Sequence, residues 1–478
     1  MNPFRPLTLL LFLLWVSVSA QTDKQKVMQS LDGKQEHYSA IAKQIWEFAE
    51  LAYLENQSAG LLQAELSKAG FKIEQGVAGI PTAFVASYGS GKPVIGILGE
   101  YDALPGLSQE AFTPERKIIV DGKPGHGCGH NLFGTGSMAA AIEIKNWLVS
   151  NKKSGTIRFY GSPAEEAGDA KVFMVRAGLF NDVDAVISWH AADRNNAGPS
   201  TNLATKSGKF KFYGVAAHAA AAPERGRSAL DGVEAMNMMV NMMREHTTEA
   251  TRIHYVILNG GEAPNVVPAY ADVSYLVRHR DREEVRSLWN RIVKCAEGAA
   301  LGTGTKVEVQ ITGGTFDRLP NETLAKAMHK NLEAVGGVTY SAEEKAFAEK
   351  LSQTFGSRSV PIESAAKIES FGYSHTNASA DTGDVSWVVP MTAMTAATYV
   401  PGTPGHSWQA VSCTGSSIGF KGMMVAAKTL AMTGIDLFTD KALLEAGKKE
   451  FNEKRGADFK YESLVGDIDP PLDIRKTN

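Results

Sequence analysis

The sequence Gly125-His126-Gly127-Cys128-Gly129-His130-Asn131 places two imidazoles and one thiol between alternating glycines. Glycine adopts backbone conformations that residues with a Cβ avoid, so the loop can bring the Cys and His side chains toward a common point. This arrangement is typical of a metal-binding loop. A glycine-rich turn that contains a buried Cys and a hydrogen-bonded His gives the same pattern without a metal, so the segments on either side have to decide between the two.

The segments around this loop alternate between predicted strands and predicted helices. The strands are 83–88, 94–98, 156–160 and 185–188, and the helices are 132–148 and 171–177. The run 94–98 is almost entirely apolar, as expected for a strand that is covered on both faces. The alternation predicts an α/β catalytic domain with a mixed, largely parallel sheet flanked by helices.

Reactive side chains lie just past the ends of these predicted strands. Asp102 follows strand 94–98, Glu165 and Glu166 follow strand 156–160, and His190 follows strand 185–188. Ligands of open α/β sheets bind beyond the carboxyl ends of the strands. We therefore expect these side chains and the glycine-rich loop to share one site.

A different pattern occupies residues 207–314. Its predicted elements run strand, helix, strand, strand, helix, strand, at 210–215, 230–244, 253–258, 271–277, 284–300 and 306–311. This is the order of a ferredoxin-like α+β unit. We therefore predict a signal peptide at 1–20, a catalytic domain formed by 21–206 and 315–478, and an inserted domain at 207–314.

The composition indicates a globular chain. With 478 residues, 44% hydrophobic and 21% charged, it is expected to form two or three domains. A net charge of -3 and a pI near 6.4 provide no broad basic field, which argues against nucleic acid as the main partner. The charge of the chain is compatible with a small neutral or anionic substrate.

The N-terminus has the features of a secretory signal peptide. Arg5 precedes an apolar run at 7–18, and Val18-Ser19-Ala20 forms a small-x-small cleavage site. A membrane anchor is the alternative, but the run is shorter than the ~20 apolar residues that span a bilayer. We expect cleavage after Ala20 and a periplasmic or secreted protein that is not attached to a membrane.

Three cysteines at wide spacing do not form a disulfide framework. Cys295 lies in a helical pattern and is expected to pack in the core. The sequence assigns no role to Cys413. The remaining one, Cys128, belongs to the glycine-rich loop.

Five side chains have the imidazole, carboxylate and thiolate groups that bind divalent transition metals, namely Cys128, His130, Glu166, His190 and His406. Five donors exceed one tetrahedral site, whereas two metals about 3.5–4 Å apart that share a bridging ligand and a bridging water would use them all. Glu165, next to one of these donors, is then available as a general base for water whose pKa the metals lower to about 7.

Short motifs along residues 35–445 extend this pattern. They are Gly99-Glu100-Tyr101-Asp102-Ala103-Leu104-Pro105, the loop 125–131, Pro163-Ala164-Glu165-Glu166, Trp189-His190, Ala217-His218-Ala219-Ala220, Asn265-Val266-Val267-Pro268, Gly383-Asp384-Val385-Ser386 and Thr403-Pro404-Gly405-His406. The set resembles the metal-dependent amidohydrolases, a family that includes aminoacylases, hippurate and auxin-conjugate hydrolases and glutamate-releasing carboxypeptidases. The chain is most similar to the p-aminobenzoyl-glutamate hydrolase branch.

The resemblance implies an amide hydrolase with two Mn²⁺ or Zn²⁺ ions that acts on an N-acyl amino acid, and an inserted domain that serves as lid and dimer interface. The partner is then a second copy or a related chain. The five donors fall on ligand positions of the family and Glu165 on its general base. His218, Asn265 and Arg278 fall on lid positions that bind the substrate's carbonyl or carboxylate, the His often reaching in from the partner subunit, and Asp102 falls on an orienting position beside the metals.

Two positions depart from common members of the family. Glu100 stands where many relatives carry His, so the Cys-containing branch is the appropriate comparison and Asp102 is not expected to contact metal. Asn131 stands where aminoacylase-type members carry Asp, which points to the p-aminobenzoyl-glutamate branch. An aminoacylase or a dipeptidase of other specificity remains an alternative.

Two further interpretations explain less of the sequence. In a thiol hydrolase Cys128 would be the nucleophile, and Glu165, Glu166, His190 and His406 would have no role. A non-catalytic binding protein of the same fold would be marked by the loss of Glu165 or of a ligand, yet all are present.

Overall fold

The computed structural model describes residues 23–356 and 360–475. The predicted signal peptide lies outside these residues. Within them, no helix combines the length and apolar character that crossing a membrane requires.

The described residues contain twelve strands: β1 (Lys72–Gln75), β2 (Phe84–Ser90), β3 (Val94–Gly99), β4 (Gly155–Gly161), β5 (Ala185–Ala192), β6 (Ser200–Thr201), β7 (Ala204–Tyr213), β8 (Arg252–Asn259), β9 (Tyr270–His279), β10 (Lys306–Thr315), β11 (Ser374–His375) and β12 (Met391–Ala397). Residues 23–32 are helical. The helices that follow are α1 (Gln35–Phe48), α2 (Asn56–Lys68), α3 (His130–Ser150), α4 (Ala170–Arg176), α5 (Ala229–Met243), α6 (Arg282–Thr303), α7 (Glu322–Val335), α8 (Ala342–Ser352), α9 (Thr382–Val388), α10 (Trp408–Thr414), α11 (Ser417–Thr439) and α12 (Lys441–Arg455).

The larger body is built on a six-stranded sheet in the order β1-β2-β4-β3-β5-β12. β4, β3, β5 and β12 pair in parallel, and β1 and β2 extend the sheet antiparallel at one edge. Every residue of β3 is buried, because helices cover the sheet and α3 and α11 pack against one another over it. The predicted mixed, largely parallel sheet is confirmed.

The inserted segment forms an antiparallel sheet in the order β10-β7-β9-β8. Its chain order is strand, helix, strand, strand, helix, strand, with α5 and α6 as the helices, so the predicted ferredoxin-like arrangement is confirmed. It has its own apolar core, in which Phe210, Val273 and Trp289 are buried. β8 is an edge strand, and its residues 254–259 are exposed.

Met236 packs in this core, whereas Met238, Met239 and Met242 lie on the exposed side of α5. The methionine-rich helix therefore packs on its own sheet with one face and leaves the other face, beside the edge strand β8, open to solvent.

Candidate metal centre and active site

The glycine-rich loop ends where α3 begins, at His130. Gly129 has a left-handed backbone with φ of 80°, and a Cβ there would lie 2.5 Å from the Cβ of Ala191 on β5. Glycine is therefore required both for the turn and for the close approach to the strand. Gly127 is closely packed, since a Cβ there would lie 2.7 Å from Leu107 Cδ1 and 3.4 Å from the His406 Cα.

Cys128 is common to two clusters of possible metal ligands. One contains Cys128, His130 and His190, and the other contains Cys128, Glu166 and His406; within each, the ligand atoms lie within 4.8 Å of one another. The Cys128 Sγ lies 3.5 Å from His190 Nε2. The five residues predicted as ligands are thus gathered around one thiol, in two groups of three.

Asp102 contacts both His130 and the backbone of Glu166. His130 Nδ1 lies 2.8 Å from Asp102 Oδ1, and the other Asp102 oxygen accepts a hydrogen bond of 2.9 Å from the Glu166 backbone N–H. Burial opposes ionisation of Asp102, but the charge and the hydrogen bond of His130 hold its pKa below the usual value. Asp102 therefore directs His130 Nε2 into the site and ties the Glu165/Glu166 segment to it, as an orienting group would.

His406 comes from a turn that is attached to the same loop. Its backbone N–H donates to the Gly127 carbonyl at 3.2 Å, and its Nε2 lies 3.6 Å from Glu166 Oε1. Its φ of 53° is unusual for a residue with a side chain. With 57% of its side chain exposed, His406 is the most accessible of the five donors.

Glu165 faces the interior of the site. Its Oε2 lies 4.0 Å from His130 Nε2, and only 12% of its side chain is exposed. Burial, followed by the charges of Glu100 and Glu166, raises its pKa well above the usual value. Burial likewise raises the pKa of Glu166. So many acidic groups in a buried space favour a bound cation.

A buried carboxylate that was not predicted as a ligand lies beside His130. Glu100 Oε2 is 3.0 Å from His130 Nε2, and Glu100, His130 and Glu165 form a third group of ligand atoms within 4.8 Å. Its other oxygen is held by the Lys171 ammonium at 2.6 Å, and that ammonium also lies 2.7 Å from Asp381 Oδ1. The position of Glu100 directly after β3 was a signal that could have identified it.

Three ligand-type atoms in the site are buried and make no contact with hydrogen-bond geometry, namely Glu100 Oε2, His130 Nε2 and Glu166 Oε1, although the first two lie 3.0 Å apart. Buried polar atoms are nearly always satisfied, so these require a partner. Imidazole nitrogen, carboxylate oxygen and the Cys128 sulfur together suit a divalent transition metal. The residues present therefore fit a metal centre.

The residues predicted to act from the lid, His218, Asn265 and Arg278, lie outside the cavity at the candidate metal ligands. His218 and Asn265 are exposed on neighbouring loops of the inserted domain, joined by a hydrogen bond of 3.1 Å from the Ala219 N–H to the Asn265 carbonyl. Neither lines the cavity at the metal cluster. Arg278 is closer: its Nη1 donates to Ser379 Oγ at 3.3 Å, and it lines an adjoining cavity with Glu165 and Glu166.

The group of candidate metal ligands faces a cavity of about 460 Å³. Cys128, Glu165, Glu166, His190 and His406 contribute to its lining. The rest combines apolar side chains, such as Phe133, Trp189 and Met394, with polar ones, among them Asn196, Ser200, Asn202, Arg318, Ser374, Thr376 and Thr382. Arg318 was not predicted, because it lies in an irregular segment after β10 where no sequence pattern marks it.

The sheet, the inserted domain and the cluster of Cys, His and Glu fit a metal-dependent hydrolase, and comparison with known proteins assigns the chain to the M20 peptidase family. Residues 203–303 match the family model described as the peptidase dimerisation domain. The chain is 41% identical to one of the subunits of p-aminobenzoyl-glutamate hydrolase from Escherichia coli (strain K12) over 450 residues, which cover 89% of this chain and 94% of that protein. The chain belongs to this family, and it is an enzyme that hydrolyses amide bonds.

Other similarities agree with this assignment. Xaa-Arg dipeptidase of Mus musculus is 30% identical over 447 residues, which cover 90% of this chain and 92% of that protein. A Bacillus subtilis protein, YXEP, described as a dinuclear metal-binding peptidase of the M20 family, has the same fold, with a TM-score of 0.57 and 17% identity over 84% of this chain and 98% of that chain. The aminobenzoyl-glutamate utilization protein of Klebsiella pneumoniae matches with a TM-score of 0.60 and 18% identity, covering 85% and 97% of the two chains.

Proposed function

We propose that the chain hydrolyses N-acyl glutamates such as p-aminobenzoyl-glutamate. The proposal is supported by the 41% identity to the Escherichia coli hydrolase along almost the whole of both chains. The observation that carries the chemistry is the sharing of Cys128 between two groups of metal ligands. A common ligand at the centre of five donors suits a pair of metals better than one.

In this proposal Cys128, His130 and His190 would hold one divalent ion, Cys128, Glu166 and His406 would hold a second, and Mn²⁺ and Zn²⁺ are the candidates. Such ions lower the pKa of water and polarise a carbonyl oxygen. Glu165 accepts the proton of the attacking water and passes it to the amide nitrogen. The water oxygen bonds to the carbonyl carbon, the C–N bond breaks, and a carboxylic acid and an amine leave.

The lid residues complete the site from outside the cavity. His218 and Asn265 bind the substrate's carbonyl or carboxylate in this proposal, and His218 is supplied by the partner subunit, consistent with its exposed position far from the metal ligands. Arg278, already at the edge of the site, binds the substrate from the same chain. The partner is a second copy or a related chain, because the Escherichia coli hydrolase is named as having two different subunits, both similar to this chain.

We also propose that the protein works in the periplasm or outside the cell. The support is the signal-like sequence of residues 1–20 alone. Sequencing the N-terminus of the protein recovered from the periplasm or medium tests it: Gln21 is expected as the first residue, and intact Met1 in the cytoplasm contradicts it.

A dipeptidase is the second candidate, because the match to the mouse Xaa-Arg dipeptidase covers 90% of the chain, although at the lower identity of 30%. A panel of N-acyl glutamates, N-acyl aspartates, aromatic amino-acid conjugates and dipeptides ending in Arg, assayed together with metal analysis, decides between them. We expect the highest kcat/KM on an N-acyl glutamate. A preference for dipeptides ending in Arg would contradict the proposal.

The structure argues against Cys128 as a nucleophile. Although His190 lies beside it, burial raises the pKa of Cys128 well above the usual value, and burial followed by the charge of His130 lowers the pKa of His190 to about 4. Without a metal, both shifts oppose a thiolate–imidazolium pair, whereas a bound metal would hold Cys128 as a thiolate that needs no imidazolium partner. A chelator should therefore abolish activity.

A further inference from the structure

The guanidinium of Arg318 lines the same cavity as the metal cluster. Its backbone N–H donates to Asn202 Oδ1 at 2.6 Å, which fixes the irregular segment between β10 and α7 against the cavity wall. The charges of Glu100 and Glu165 act on it, and its own charge acts on His190. Arg318 is therefore placed near the reacting groups without being a metal ligand.

The polar contacts of this guanidinium are all with neutral groups. Its Nη1 donates to Ser200 Oγ at 3.2 Å and its Nη2 to Thr382 Oγ1 at 3.0 Å, while its buried Nε has no hydrogen-bond partner. Among residues 23–356 and 360–475, no carboxylate oxygen is recorded within 4 Å of it. A buried charge is normally paired, so Arg318 lacks the counter-ion that its surroundings call for.

Two other arginines of the chain are paired with carboxylates. Arg158 makes a two-pronged contact with Asp182, with both N–O distances at 2.6 Å, and Arg194 Nε lies 2.9 Å from Asp193 Oδ1. Both of these pairs lie nearer the surface. Arg318 differs from both in facing the cavity with a buried Nε that has no hydrogen-bond partner.

We propose that Arg318 binds a carboxylate of the substrate and so restricts the enzyme to N-acyl amino acids with a free acid group there; this rests on the proposed hydrolase function. Guanidinium binds carboxylate through two parallel hydrogen bonds. The hydroxyls of Ser200 and Thr382 accept from Arg318, which leaves their own hydrogens free to donate to the same anion. Cations bound by the acidic groups of the site would leave Arg318 with still less negative charge nearby and strengthen this preference.

An N-acyl glutamate has two carboxylates, the α and the γ group, and Arg318 could bind either one. The test compares kcat/KM for p-aminobenzoyl-L-glutamate, its α-amide and its γ-amide in the wild type, Arg318→Gln, Arg318→Lys and the control Arg194→Gln. Arg318→Gln should lose roughly 100-fold on the diacid, as expected when a buried charge pair loses one member. It should lose only a few-fold on the amide that lacks the recognised carboxylate, and that amide identifies the group.

Arg318→Lys should recover part of the activity on the diacid through its charge, and Arg194→Gln should match the wild type on all three substrates. An equal loss on all three substrates would assign Arg318 a purely structural role and overturn the proposal. No loss on any substrate would overturn it as well.

Failure of the proposed function is a separate result, seen if the metal-loaded wild type hydrolyses no N-acyl amino acid. The role of Arg318 is then tested by calorimetric titration, which measures the affinity of metal-loaded wild type and of metal-loaded Arg318→Gln for N-acetyl-L-glutamate. Weaker binding by Arg318→Gln supports carboxylate binding at Arg318. Equal binding, or no binding to either protein, overturns it.

Discussion

Asp102 Oδ1 lies 2.8 Å from His130 Nδ1, with both side chains fully buried. The contact fixes which imidazole nitrogen carries the hydrogen and directs Nε2 toward Cys128, Glu100 and Glu165. The other Asp102 oxygen accepts from the Glu166 backbone N–H, so one carboxylate aligns two predicted ligands.

Asp102→Asn should weaken metal binding by about 10–100-fold, because an amide oxygen can still accept from His130 but lacks the charge that strengthens the imidazole as a ligand. Titration of metal-free protein with Mn²⁺ or Zn²⁺ measures the change. Asp182→Asn, at an exposed carboxylate paired with Arg158, is the matched control. An unaltered affinity in Asp102→Asn would show that the contact does not serve the metal.

Glu165→Gln should bind metal and substrate but lose about 10²–10⁴-fold in kcat, because an amide cannot accept the proton of water. Glu166→Gln should instead lose metal, since its side chain belongs to the second ligand group. Metal content and steady-state kinetics of the two variants separate these roles. If Glu165→Gln loses metal while Glu166→Gln keeps it, the assignment of the pair is reversed.

The His218 imidazole should act on the site of the partner subunit. His218→Ala should lose about 10²–10³-fold in kcat, the usual cost of removing a donor to a developing oxyanion. Mixing it with Glu165→Gln under conditions that exchange protomers should restore activity, because one site of the hybrid has both residues. Hybrid dimers verified by mass, yet without recovery, would place the action of His218 within its own chain or exclude it.

Asp384 should make the fold less stable as pH rises. Burial raises its pKa to about 8, so between its ordinary value of 3.8 and that value the folded chain keeps a proton that the unfolded chain has lost. The free energy of unfolding therefore falls with rising pH across this window. Asp384→Asn removes this titrating group, so the Tm of the variant minus the Tm of the wild type should increase from pH 6 to pH 8. A Tm difference that stays constant over this range would contradict the raised pKa. Asp182→Asn should show no such trend.

Periodicity was sufficient to predict the parts of the site that lie at strand ends. Glu166 follows β4, and His190 lies near the carboxyl end of β5, which extends to Ala192 and so past the predicted end at 188. The two ends meet because the strands share one sheet. The inserted domain was predictable for the same reason, although β7 begins at Ala204 and β10 ends at Thr315, slightly outside the predicted 207–314.

Other elements were missed for want of a pattern. The four-residue edge strand β1 is mostly exposed, α12 is highly polar, and α10 follows directly on the turn that contains His406. Lys171 contacts both Glu100 and Asp381, and Arg318 lies on the same cavity as Glu100, yet long stretches of chain separate these residues. Such contacts depend on tertiary packing, which the local sequence does not encode.

The central claim is that Cys128 and its neighbours hold the metals on which amide hydrolysis depends. The most direct measurement is the hydrolysis of p-aminobenzoyl-glutamate by protein that has been exhaustively chelated, then by the same protein after Mn²⁺ or Zn²⁺ is restored, with metal content determined at each stage. We expect no turnover without metal, and recovery that is complete only as bound metal approaches two ions per chain. Full turnover by protein shown to be free of metal would contradict it.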